Sequence, residues 1–177
     1  MNSFLRAILL GLGAAGALSC AVSAQDEPAP FNAFSVSTAN GTIVRAAENQ
    51  LLVVATLTGP LFVETDDGPV PTGRVVCAAS ARIDQAARKQ VGNGACTFTD
   101  VDGATAWGEW TCEGYELLGC RGMFKLAGGT GRLTGATGEA TVIWRPSAHE
   151  FKKQLDGSVL DNVSGVLIWR NFKLRTK

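Results

Sequence analysis

From Pro30 to the C-terminus, no long stretch of this chain keeps the 3.6-residue period of an amphipathic helix. Short runs rich in Val, Ile, Thr, Phe and Trp recur instead, each closed off by glycine, and that pattern restricts the chain to antiparallel sheet with sequence-local turns. LLVVATLTGPLFVET (51–65) reads as a strand, a break at Gly59-Pro60, and a second strand. VVCAASARID (75–84) alternates, with Cys77, Ala79, Ala81 and Ile83 on one side and Ser80, Arg82 and Asp84 on the other. ACTFTDVDGATAWGEWTC (95–112) is the clearest hairpin, turning at Asp102-Gly103, where glycine tolerates positive φ. CRGMFKLA (120–127), EATVIW (139–144) and GVLIWRNFKL (165–174) complete the set. IDQAARKQV (83–91) has room for one helical turn, and the connection RPSAHEFKKQLDGSVLDN (145–162) has room for another short strand. The expected fold is all-β, an eight-stranded antiparallel, up-and-down β-barrel.

The first residues are of a different kind. Arg6 precedes the apolar run AILLGLGAAGALSCAVSA, which exits through Val22-Ser23-Ala24 into the charged, proline-bearing QDEPAP. A basic residue, a short apolar core and a small-x-small exit are the anatomy of a secretory signal peptide, expected to be cleaved after Ala24. The run is too short and too rich in glycine and alanine for a stable membrane span. The expected organisation is therefore a signal peptide over 1–24, a flexible segment over 25–33 and one domain over 34–177. Removing 24 of the 177 residues leaves 153, enough for one core and too few for two ordinary domains. The expected destination is the periplasm or the exterior.

Charge narrows the partners. The chain carries 16 basic and 16 acidic residues, and losing Arg6 leaves a balance of −1. Nucleic-acid binders usually show a basic face, and this chain gives no electrostatic case for one. ETDDG (64–68) reads as a turn, because the spaced oxygen ligands of a calcium loop are missing.

Beyond Cys20 the cysteines are Cys77, Cys96, Cys112 and Cys120. An even count in an exported domain implies disulfides. No C-x-x-C pair occurs and the sole histidine, His149, lies outside the cysteine-bearing segment, so no metal site is expected. Three pairings are open. Cys77–Cys96 with Cys112–Cys120, which joins neighbours in the chain, is favoured.

AGGTGRLTGATGEA (127–140) raises the question of a phosphate cradle. A dinucleotide site needs a helix after the glycines, but RLTGATGEATVIWRP offers two more glycines, three threonines and a β-branched run, poor material for a helix. The glycines therefore mark a turn, and no cofactor is expected. With a strand, GGTGR and TGATGEA in that order, the chain resembles the allene oxide cyclase-like and dirigent barrels over about residues 95–140. Gly128, Gly129, Gly131, Gly135 and Gly138 occupy the motif's turn positions, with Thr130 and Leu133. The resemblance implies an eight-stranded barrel with an apolar cavity, often in a homo-oligomer. It carries over no catalytic residue.

Few side chains point to chemistry. His149, in PSAHEF, is poor support for nucleophilic catalysis. Arg170 shares parity with Val166, Ile168, Phe172 and Leu174, which would aim it into the barrel, where it would need a carboxylate such as Glu109 or a ligand anion. The other reading puts Leu167 and Trp169 inside and Arg170 in water. Trp107, Trp110, Trp144 and Trp169 serve equally as core or as cavity lining. The speculative ligand set is thus Glu109, Trp110 and Arg170, with no catalytic residue named. The leading expectation is an exported, disulfide-stabilised binding module for a small hydrophobic molecule or an envelope protein. One alternative is an isomerase or cyclase working in the cavity through a residue such as Glu109. Another is an inhibitor or adhesion module using its loops.

Overall fold

A computed structural model describes residues 29–176. The expected signal peptide and its cleavage point lie outside those residues. Eight strands run in chain order: β1 (Phe31–Ala47), β2 (Gln50–Thr65), β3 (Gly68–Asp84), β4 (Lys89–Asp100), β5 (Thr105–Tyr115), β6 (Gly119–Gly129), β7 (Thr137–Pro146) and β8 (Val159–Arg175). Each pairs antiparallel with its chain neighbour. β1 also pairs with β8, and this contact closes the sheet into a barrel. Residues 31–33, expected to be flexible, already belong to β1.

Three local expectations are corrected. Gly59-Pro60 does not divide β2. Both residues stay paired with Val75 and Arg74 of β3, while the ladder to β1 lapses between Leu61 and Thr58. Proline has no N–H to donate, and a side chain at Gly59 would meet the Val36 carbonyl, so strand β1 passes close by at the lapse. The 83–91 segment forms a tight turn, held by the Ala87 N–H donating to the Asp84 carboxylate at 2.8 Å. That bond outweighs the opposing effect of burial and holds the Asp84 carboxyl below its ordinary value. The long connection contains a helix, α1 (Ala148–Gln154), before β8 begins. Phe151 and Leu155, four residues apart and both buried, anchor it over one end of the barrel. The Gln154 amide ties it to the Asp161 backbone, accepting at 2.6 Å and donating at 2.8 Å.

Alternation decides what lies inside. Cys77 and Ile83 of β3 and Cys120, Phe124 and Leu126 of β6 point inward and are buried. The structure joins Cys77 to Cys96 across β3 and β4, and Cys112 to Cys120 across β5 and β6. On β8 alternation fails twice. Asn162 and Asn171 have φ of 51° and 52°, and at each of them β8 advances three residues while β1 advances two. Each bulge hands its N–H to an asparagine on β1: Asn162 to Asn40 at 2.9 Å and Asn171 to Asn32 at 3.1 Å. Asparagine tolerates this left-handed backbone better than other non-glycine residues. The bulge at Asn171 lets Trp169 and Phe172 both turn inward, although they are three apart.

The glycine-rich run is a turn. Gly128 and Gly129 end β6, a single 3₁₀ turn follows over Gly131–Leu133, and Gly138 lies in β7. Gly131 and Gly135 have φ of 56° and 72°, where glycine carries no Cβ penalty.

Candidate functional site

The interior is filled. Trp169 is 1% exposed and packs edge-on against Phe98, with ring centroids 5.0 Å apart. Phe124 lies 5.5 Å from Phe98 and 5.9 Å from Phe172, so aromatic rings block the middle of the barrel. Toward α1 there is space of about 60 Å³, bordered by Ala39, Ala55, Ala79, Ala81 and Trp110. At the opposite mouth a cup of about 180 Å³ lies between Phe31, Phe98, Leu133 and Trp169. Pockets that bury a small-molecule ligand hold roughly 300–1,000 Å³. This finding overturns the expected binding module for a small apolar molecule and, with it, the cyclase working inside a cavity.

The expected ligand set does not converge. Trp110 is buried against β4, where a side chain on Gly94 would meet its indole, so it is a core residue. Arg170 faces water and lies 3.6 Å from Glu64. The parity that aimed Arg170 inward is broken at Asn171, and Leu167 and Trp169 define the interior. Glu109 is also on the outer surface, in a row of alternating charge that runs Lys173, Glu139, Lys125, Glu109 across β8 to β5. It does not meet Arg170. His149 is exposed at the start of α1.

The strongest ionic cluster was not visible in the sequence. Asp100 accepts from Arg132 Nε at 2.6 Å and from the backbone N–H groups of Ala104 and Asp102 at 2.8 and 2.9 Å. Burial pushes the Asp100 carboxyl up. The Arg132 hydrogen bond, the two N–H donors and the Arg132 charge outweigh it and hold the carboxyl below 3.8. Arg132 belongs to the glycine turn and Asp100 to the end of β4, so this pair ties two distant turns together at the rim of the cup. Among the described residues no group of His, Cys, Asp or Glu could hold a metal ion.

The outer surface has one unusual face. β1 buries Ser35 and Ser37, whose hydroxyls bond each other at 2.8 Å, yet turns Phe34 and Val36 outward. Phe34 stacks on Phe62 of β2 at 5.2 Å and pairs with Ile168 of β8, which pairs with Ile143 of β7. Val36, 55% exposed, pairs with Val166 in the neighbouring row. One apolar row therefore crosses four strands on the outside and a shorter one crosses β1 and β8; Val36 is exposed and the others are half-buried. Arg74, Arg121 and Arg145 border them, opposite Pro60, Ile143 and Val166 in the ladders. None of the three forms an ion pair with the described residues. Glu64 at the upper edge is held by Arg170, and Glu150 below accepts the Ser164 N–H at 2.7 Å. AFSVS (33–37) carried the signal for this face, because Phe34 and Val36 fall on the opposite parity from Ala33, Ser35 and Ser37.

No family model, no curated protein and no solved structure matches this chain.

Proposed function

We propose that this chain is an exported binding module that works with the outside of its sheet, docking a protein on the face of β7, β8, β1 and β2. The observation that carries this reading is the inverted pattern of β1, with serines in the core and Phe34 and Val36 facing out. The two serines satisfy each other inside, and nothing internal requires apolar residues on the other side. Contiguous exposed apolar side chains rimmed by polar ones are the usual mark of an interaction surface. Three arginines on the rim, none in an ion pair among the described residues, suit a protein whose apolar centre is bordered by carboxylates. Two disulfides in one small domain support a destination in the periplasm or outside the cell. The glycine turn between β6 and β7 supports kinship with the allene oxide cyclase-like and dirigent barrels, which is a proposal on the same footing.

A photo-reactive residue placed at Val36, and separately at Met123 on the opposite face, tests the reading in the cells that make the protein. The expected result is one discrete protein adduct from Val36, none from Met123, and loss of the adduct in Arg121→Glu/Arg145→Glu. Equal adducts from both faces, or none from Val36, would overturn it.

A further inference from the structure

We infer that Trp107 is the platform of a second site, independent of the apolar face, that binds a carbohydrate chain through the flat side of a pyranose ring. Tryptophan is among the most buried residues on average, yet Trp107 is 42% exposed on the outer surface of β5. Its indole lies over Gly128 of β6: a Cβ there would come within 3.0–3.5 Å of Cζ2, Cε2 and Nε1. Backbone thus supports one side of the ring and leaves the other to solvent. A glycine at 128 is what permits this, since any side chain would lift the indole.

The surroundings decide the class of ligand. A tryptophan that anchors a protein interface sits in apolar contacts that exclude water. Trp107 instead has Thr97 opposite it, Thr105 and Glu109 two positions away on its own strand, and Lys125 on the neighbouring strand. The Thr105 hydroxyl is already fixed by Thr130 at 2.7 Å. Beyond the indole, Ala95 and Ala127 keep the outer surface low, and a separate hollow of about 670 Å³, which Trp107 itself does not line, extends past Glu109 and Lys125 to Asn93 and Thr111. A pyranose presents axial C–H groups on its face and hydroxyls at its edge. The first match the ring and the second match the hydroxyl, amide and charged groups around it. With the ring and the hollow side by side on β5, two positions apart at Trp107 and Glu109, an oligomer could reach both where a single sugar would meet only one.

Titration of the purified protein with cellohexaose, chitohexaose and a linear α-linked glucose hexamer, read by ligand-observed NMR, tests the inference. Binding of at least one oligomer is expected, weakened about tenfold or more in Trp107→Ala, largely kept in Trp107→Tyr, and reduced in Gly128→Val. The Tyr variant retains a ring, so it separates loss of the platform from loss of fold. No binding by any of the three, or binding unchanged in Trp107→Ala, would overturn the inference. So would a Trp107→Ala variant that loses the protein adduct formed at Val36 instead of the sugar.

Discussion

The two halves of this barrel are held together differently. The half made by β3 to β6 carries both disulfides, and glycines at 92 and 94 face inward where they make way for Trp110. The half made by β7, β8, β1 and β2 has no disulfide among the described residues. Its order comes from Trp169, Leu167 and Val163 packed inside and from two asparagine-marked bulges that aim them. Around Gly92 and Gly94, where the inward residues of β4 are small, the covalent links to β3 and between β5 and β6 lie close by. Where large ones are available, packing suffices and the outer surface is left to carry the apolar face.

That contrast yields predictions in order of size. Trp169→Ala should be the most damaging change, costing about 3–5 kcal/mol in urea unfolding. A loss smaller than that from removing a disulfide would invert the contrast. Cys77→Ala/Cys96→Ala, which opens a link across 19 residues, should cost ~3 kcal/mol, and Cys112→Ala/Cys120→Ala, across 8, ~2.5 kcal/mol. Equal tolerance of both removals would show that the glycine-rich half does not depend on them. At the bulge, Asn171→Val should cost about 1–2 kcal/mol while Asn171→Gly stays near neutral, because only the branched residue resists positive φ.

The smallest effect concerns acid. Asp100 has a folded pKa below its ordinary 3.8, so its stabilisation is fully present above that value and is lost as pH falls through the lower folded one. Asp100→Asn should therefore lower stability at neutral pH and flatten its decline below about pH 4. An unchanged acid limb would mean the Asp100–Arg132 pair ties the two turns without stabilising the fold.

The same contrast explains what could be read from the residues. From Val75 to Ile83 on β3 and from Cys120 to Leu126 on β6 the ladders run without a shift, so the inward sets around Cys77 and Phe124 were legible. On β8 they were not, because Asn162 and Asn171 each shift parity by one, and only a partner strand shows where such a shift falls. Arg170 had two readings for that reason, and the structure has the one with Leu167 and Trp169 inside and Arg170 in water. α1 escaped notice because seven residues give too little periodicity to read. Asp100 and Arg132, 32 apart in the chain, meet only once β4 and the glycine turn are folded. The size of the interior space depends on how Trp169, Phe98 and Phe124 interlock, which no linear pattern specifies.

Native and denaturing mass spectrometry of the protein purified from its own cell envelope probes most directly whether the interior or the exterior does the binding. The denatured mass should show two disulfides, each removing two hydrogens, and the native protein should carry no small-molecule adduct. A stoichiometric apolar adduct that survives purification would contradict a filled barrel and return the function to its interior.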